Sequence, residues 1–409
     1  LWLGDTWWKG LCKRLTWEGF QELTADRKQK GFNVVQIVCG TYPDELGLLQ
    51  PSWGNEGGIP YLDTDFSVMN PEYFDYADRR FEHMINAGIV PAIVGGWGRA
   101  VEISAVGIEG YKRHFRNLIA RYGAYPVVWI LGGETQQKHG PWYEAAEYMD
   151  ATDPYGRMLT NHSNRRREAL EDHAVFDFDM DATGHRGWET VNNAIQKIID
   201  YRDVSPIKPV LTGEACYEQH MQGNFADLQR YLFWGCILTG AAGHTYGAAG
   251  IWHMGVTGEH GNWGGWDHQP YDLTTWREGM HFAGSAHLGR AKSLLEEYPW
   301  QRFEPDPEWV GKGGPKKRPE EYEGLASEAR FAAGIPGEVM IIYQPKRNNY
   351  VWDGISVQNI VPGDYSMFYF DPVSGRRFDH GIVNISGTWT SPNVPSPQDW
   401  VLVLERVGE

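Results

Sequence analysis

Through the first three-quarters of the chain, short apolar runs of strand length alternate with longer amphipathic segments, the rhythm of βα units. Eight runs predict strands: residues 2–4, 34–38, 90–94, 127–131, 157–161, 175–179, 209–212 and 240–244. Between most of them the apolar positions return at helical spacing. Thr16 stands where an N-cap belongs, and the helix it opens runs through Lys30 until Gly31 stops it. Asn70-Pro71-Glu72 opens another, with proline at the first helical position, and Gly88 ends it. Residues 108–122 and 188–201 repeat the pattern. Eight strands with crossover helices close more naturally as a barrel than as an open sheet. Residues 1–300 are therefore expected to form a (β/α)8 TIM barrel of the α/β class.

The last barrel helix, about 274–298, gives way to Pro305-Asp306-Pro307 and then to a stretch rich in glycine, proline and charge. That composition marks residues 301–320 as a linker, and its basic cluster Lys316-Lys317-Arg318 reads as solvated loop. Residues 321–409 change register to short strands at 326–332, 339–343, 363–370 and 400–404, separated by turn signals such as Pro336-Gly337 and Ser374-Gly375. This predicts a small antiparallel β-sandwich, whose expected role is to pack against the barrel and stabilise it.

Composition narrows the function. At 409 residues and 42% hydrophobic the chain can bury a large core, and its formal charge of −16 would repel nucleic acids and anionic membranes. Aromatic residues reach 14%, with 19 Trp and 21 Tyr, which suits binding the faces of sugar rings as well as filling a core. The four cysteines, Cys12, Cys39, Cys216 and Cys236, have neither CxxC nor zinc-ligand spacing and read as buried free thiols, with a disulfide left open. No apolar run has transmembrane length, and the chain opens on a strand-like segment rather than on a signal peptide.

The chemistry concentrates at two strand ends. Val127-Val128-Trp129-Ile130-Leu131-Gly132-Gly133-Glu134 begins as an apolar run, turns on two glycines and ends on a carboxylate. Pro209-Val210-Leu211-Thr212-Gly213-Glu214 has the same form. A barrel presents its chemistry at the C-terminal ends of its strands, and strands four and seven face each other across the mouth. Paired carboxylates there are the equipment of glycosidic bond cleavage: about 5–5.5 Å apart for retention, about 6.5–9.5 Å when water must fit between them. Glu134 is expected to act as acid/base and Glu214 as nucleophile, with Tyr217 or Tyr246 orienting Glu214. The plainer alternative is that each glutamate caps the helix after its strand or forms a surface salt bridge.

Other strand ends supply candidates for substrate binding. Asp5 can accept hydrogen bonds from sugar hydroxyls, while Trp8 reads as core packing. Tyr42 opens a long Gly/Pro-rich insertion after strand two, of a length that is uncommon unless it shapes a site. Trp97 follows strand three, Asn161 and His162 end strand five, His185 follows strand six, His244 and Tyr246 end strand eight, and Trp252 lies on the loop beyond, with Trp263 and Trp266. Three histidines at three strand ends invite a metal reading, but Gly-Asp-Thr stands where a metallohydrolase barrel has His-x-His. Hydroxyl binding is the preferred reading, and no metal or cofactor is expected.

Taken together, Leu3-Gly4-Asp5-Thr6-Trp7-Trp8, Lys30-Gly31-Phe32-Asn33-Val34, Trp129 to Glu134, Thr183-Gly184-His185, Gly213-Glu214-Ala215-Cys216-Tyr217-Glu218 and Gly243-His244-Thr245-Tyr246-Gly247 resemble the apiosidase-like glycoside hydrolases. The resemblance runs through essentially the whole barrel. The tail, with Asp371-Pro372, Gly375, Pro392 and Asp399-Trp400-Val401-Leu402, resembles the collagen-binding-type β domain appended to such barrels, from which collagen binding is not inferred. The family implies retaining hydrolysis by carboxylates at Glu134 and Glu214, and a periplasmic or extracellular setting. One departure matters: the family's strand-four acid is commonly Asp after Gly-Gly, and here it is Glu134. The extra methylene moves the acid by about 1.5 Å. Apiose release from pectin, an arabinofuranosidase-like specificity and a β-glycosidase-like specificity all stay open. Two readings from other classes remain beside the hydrolase: a non-catalytic carbohydrate-binding barrel, and a metal-dependent barrel hydrolase.

Overall fold

The computed structural model describes residues 1–40, 49, 51–97, 103–135, 141–163, 174–220, 223–256, 274–311, 329–346 and 353–408. Eight parallel strands, β1 (Trp2–Thr6), β2 (Val34–Val38), β3 (Val90–Val94), β4 (Val128–Gly133), β5 (Leu159–Ser163), β6 (Asp179–Gly184), β7 (Val210–Ala215) and β8 (Gly243–Tyr246), close into a barrel in chain order. The TIM barrel expected from the alternation is present. Strands five and six sit two to four residues later than their apolar runs suggest. Residues Asp179 to Gly184 carry two aspartates yet form a strand, because Asp181 faces outward and accepts from Lys197 Nζ at 2.9 Å.

Helices α1 (Trp17–Gln29), α2 (Pro71–Asn86), α3 (Ile103–Tyr122), α4 (Trp142–Thr152), α5 (Trp188–Arg202) and α6 (Ala226–Leu238) surround the barrel. Thr16 caps α1 by accepting from the Gly19 N–H, as its position predicts. The single last helix expected near 274–298 is two, α7 (Trp276–Met280) and α8 (Ala283–Leu295). Thr275 and Glu278 form a reciprocal capping box that starts α7. No helix among the described residues is long and apolar enough to cross a membrane.

Parity along the strands decides which side chains reach the barrel interior. Gln36 of β2 donates to Thr245 Oγ1 of β8 at 2.8 Å and to the Gly213 carbonyl of β7 at 3.1 Å. β2 neighbours neither β7 nor β8, so the three residues meet inside the barrel. Val34, Val38, Ala92, Val94, Val128, Ile130, Met180 and Leu211 fill the interior with them. Their sequence neighbours Val35, Ile37, Ile93, Trp129 and Leu131 belong to the core between barrel and helices.

Beyond the barrel, β9 (Glu304–Pro305), β10 (Phe331–Ile335), β11 (Val339–Gln344), β12 (Ser356–Phe370), β13 (Arg377–Thr390) and β14 (Trp400–Arg406) form one six-stranded antiparallel sheet, ordered β13-β12-β14-β11-β10-β9. Its strands alternate between two cores. Phe331, Ala333, Ile341, Tyr343, Val401 and Val403 join the barrel's core, whereas Ala332, Met340, Ile342, Leu402 and Leu404 pack with Val357, Ile360 and Ile385 from the long hairpin β12–β13. Helix α6 is sandwiched between this sheet and β8. From Leu228 to Leu238 every residue is buried, as a helix with apolar contacts on both sides requires. Trp234 stacks on Tyr343 with ring centroids 6.0 Å apart, and Arg230 grips Asp399 through Nε and Nη2 at 2.6 and 2.7 Å. The sheet thereby braces the helix that follows the strand carrying Glu214.

Candidate active site

The two Gly-Glu strand ends are built by close approach of large side chains. A Cβ on Gly133 would sit 2.1 Å from the Trp97 ring, and one on Gly213 would sit 2.2 Å from Met180 Cγ. Glycine is needed at both positions so that Trp97 and Met180 can pack over the strand. Immediately beyond, the backbone enters the left-handed region at non-glycine residues: Glu134 has φ 49°, and Cys216, two residues after Glu214, has φ 47°. Such conformations cost about 1–3 kcal/mol each and persist where surrounding structure imposes them. At Cys216 the imposing contact is Gln229 of α6, which donates to the Cys216 carbonyl at 2.5 Å and to the Asn224 carbonyl at 3.1 Å.

Glu214 is the focus of the described site. Its side chain is 14% exposed, and His185 Nε2 donates to Oε1 at 3.2 Å. His162 Nε2 lies 2.9 Å from Oε2, close but off the line of an ideal hydrogen bond. The Tyr217 N–H donates to His185 Nδ1 at 3.2 Å. That contact makes Nδ1 the acceptor and leaves the proton on Nε2, facing Glu214. Burial alone would raise the Glu214 pKa, but hydrogen bonding and charge from His162 and His185 outweigh it and hold the carboxyl well below the usual range. Glu214 is an ionised carboxylate at any ordinary pH.

Aromatic rings frame this carboxylate. The Tyr217 phenol lies beside Glu214 and accepts from Trp8 Nε1 at 2.9 Å; burial first, and then the Glu214 charge, push its pKa well up. Trp8 also meets Trp97 and His162 edge-on, with centroids 5.2 and 5.3 Å apart. Trp252 lies half-buried beside Tyr217 and His220, at 6.4 and 6.0 Å. Asn224 donates to the carbonyls of His185, Tyr217 and His220, tying the loops after β6 and β7 together.

Glu134 joins the same rim through β5. Its N–H donates to the His162 carbonyl at 2.9 Å, Gly133 pairs with His162 in the sheet, and the His162 side chain reaches Glu214. One histidine thus links the backbone that carries Glu134 to the carboxylate of Glu214. Next to Glu134, Thr135 Oγ1 donates to Asn161 Oδ1 at 2.6 Å. The structure therefore brings Glu134, Glu214, Trp97, Asn161, His162, His185, Tyr217 and Trp252 to one end of the barrel.

Three sequence candidates lie elsewhere and are corrected here. Asp5 is fully buried on the outer face of β1, where Arg27 Nε, Trp7 Nε1 and the Thr6 N–H occupy it at 2.6, 2.7 and 2.9 Å. Tyr246 points outward from β8 and donates to Glu218 Oε2 at 2.5 Å, so it does not orient Glu214. His244, also fully buried, lies edge-on to Phe233 of α6, and burial lowers its pKa to about 3. The reason is the same in each case: Thr245 and Gly4 face inward, so residues one position away face outward. The three-histidine metal set loses His244 by this geometry, and no group of three or more His, Cys, Asp or Glu among the described residues is placed to hold a metal. Tyr42, Trp263 and Trp266 lie outside the described residues.

Sequence reasoning missed the positioning contacts. Trp8, expected to be core, is 2% exposed yet hydrogen-bonds the tyrosine at Glu214. His220 and Asn224 lie on the loop between β7 and α6, beyond the Gly-Glu strand end, and no local signal marks them. All four cysteines are buried and free.

Comparison with known proteins agrees with this architecture. The model of the apiosidase-like catalytic domain matches residues 1–302. Among solved structures, one described as a glycoside hydrolase superposes with a TM-score of 0.80 at 20% identity, covering 99% of this chain and 92% of that one. A glycoside hydrolase family 5 structure from Bacteroides vulgatus gives 0.81 at 19% identity, covering 99% and 89%. A family 5 mannosidase from Rhizomucor miehei gives 0.53 at 12% identity, covering 73% and 93%. At these identities the likeness is one of fold. No curated protein sequence matches the chain.

Proposed function

This chain belongs to the apiosidase-like family of glycoside hydrolases, and we propose that it cleaves a plant-type or microbial polysaccharide or oligosaccharide with retention of configuration, using Glu214 as nucleophile and Glu134 as acid/base. The observation that carries the reading is the state of Glu214: an ionised, slightly exposed carboxylate at a barrel mouth, held by two histidines and a tyrosine. A nucleophile must be ionised and fixed in direction before the sugar arrives. His185 and His162 supply both conditions.

In the first step a Glu214 oxygen attacks the anomeric carbon as the glycosidic bond breaks, and Glu134 gives its proton to the departing oxygen. In the second step Glu134 takes a proton from water, whose oxygen displaces Glu214 from the sugar. Half-buried Trp252 contributes an apolar face beside the sugar, buried Trp8 and Trp97 back the Glu214 cluster, and Asn161 supplies a polar side chain beside Glu134. Glutamate in place of the family's common aspartate lengthens the acid's reach, which favours a leaving group seated differently from the apiosidase one. Apiose, an arabinofuranose and a β-linked pyranose are the sugars to test.

Leaving-group chemistry separates the two roles. With a dinitrophenyl glycoside, whose leaving group needs no protonation, Glu134→Gln should keep its first step and gain turnover from added azide. Glu214→Gln should stay inactive on the same substrate. Equal loss in both variants, without azide rescue of Glu134→Gln, would overturn the assignment.

A further inference from the structure

Beside the Glu214 cluster, a cleft of about 370 Å³ opens between the N-terminal ends of α5 and α6. That volume falls in the roughly 300–1,000 Å³ range of small-ligand sites. His185 belongs to both places: Nε2 meets Glu214 while the residue also lines the cleft. His220 and Asn224 form another part of the wall, and Asn224 fixes that wall through the His185, Tyr217 and His220 carbonyls.

Two large aromatic side chains line the opening and stay exposed, Trp188 at 40% and Phe225 at 56%. Each sits at the start of a helix, Trp188 as the first residue of α5 and Phe225 as the N-cap of α6. Trp188 is steadied on one side by an edge contact with Tyr231, centroids 4.9 Å apart. Rings held on rigid elements and open to water are poor core residues and good platforms for the apolar face of a sugar. Arg186 and Asp227 in the lining offset each other in charge, and the −16 formal charge of the chain selects against a polyanionic occupant.

We infer that this cleft is a second sugar subsite, in which Trp188 and Phe225 hold a neutral ring of the substrate adjoining the one cleaved at Glu214. The inference rests on the glycosidase reading and adds to it that the substrate extends beyond one sugar toward α5 and α6. His185 then stands between two rings, which couples occupancy of the cleft to the orientation of Glu214.

The test uses full-length Glu214→Gln protein, which lets substrate bind without turnover, and calorimetry with two probes: the methyl glycoside of the sugar that the wild type releases, and a trisaccharide ending in it. The trisaccharide should bind at least about tenfold more tightly, one stacked ring being worth about 1.4 kcal/mol. Adding Trp188→Ala or Phe225→Ala should erase that difference and leave methyl glycoside affinity as it was, while Trp188→Phe should keep most of it. Equal affinity for the two probes, or variants that weaken both alike, would overturn the subsite. A wild type that cleaves no glycoside fails at the earlier step and counts against the hydrolase reading itself. The two failures are therefore distinct.

Discussion

Glu214 and Asp5 are both strand-end carboxylates in the same barrel, and both are held by hydrogen-bond donors. Asp5 faces the helix layer, fully buried, and its partners are a guanidinium, an indole and a backbone N–H. Glu214 faces the rim, 14% exposed, and its partners are two histidines and a tyrosine. Arg27 is a permanent cation that no substrate can displace from a sealed site, so the Asp5 pair is a fastening. Imidazole and phenol around a partly open carboxylate leave room for a sugar and hold an oxygen in aim. Position at a strand end brings an acid near the chemistry, and the side of the strand decides whether it takes part.

The sharpest way to break this comparison is to exchange the expected losses. Glu214→Gln should lower turnover by about 10⁴-fold or more while the protein stays folded. Asp5→Ala should leave Arg27 buried without its carboxylate, costing about 3–5 kcal/mol of stability by urea unfolding, while the folded fraction stays active. Loss of turnover in fully folded Asp5→Ala would erase the distinction.

A smaller effect is expected from His185. Removing its donated hydrogen bond favours the protonated form of Glu214, so His185→Ala should move the acid limb of the kcat/KM profile upward by about one to three pH units. In the wild type the sign runs the other way. The folded-state pKa of Glu214 lies below its unfolded value of about 4.3, so its contribution to stability is complete above that pH and fades as pH falls further. An acid limb unmoved in His185→Ala would remove the histidine from the account.

The tyrosines give the smallest contrast. Tyr217→Phe removes the hydroxyl that stands beside Glu214 and accepts from Trp8 Nε1, and should lower kcat by about tenfold, in line with about 1.5 kcal/mol for a hydrogen bond to a charged group. Tyr246→Phe takes one from Glu218 in the helix layer and should cost about 1–2 kcal/mol of stability with kcat unchanged. A drop in kcat for Tyr246→Phe alone would reverse the assignment of faces.

Much of this was legible in the sequence because it is local. Apolar runs mark strands, Thr16 marks a helix start, and Gly-Gly-Glu and Thr-Gly-Glu mark where the chain turns out of the barrel. What stayed hidden depends on the third dimension. The parity that sends Asp5, His244 and Tyr246 outward is fixed by barrel closure, through contacts such as Gln36 with Thr245. The β6 strand lies later than its apolar run suggests because its aspartates look like loop until Lys197 arrives from α5. Strand β13 went unseen because it is an edge strand exposed on most positions, with no apolar alternation to announce it. Trp8 reads as core until Tyr217, more than two hundred residues away, accepts its hydrogen bond.

The central claim is that Glu214 attacks the sugar directly while Glu134 serves the leaving oxygen and then water. Proton NMR of the first-formed product, recorded before mutarotation, tests it most directly. A product with the same anomeric configuration as the substrate is the predicted result. An inverted product would mean that water, and not Glu214, makes the bond, and would contradict the account.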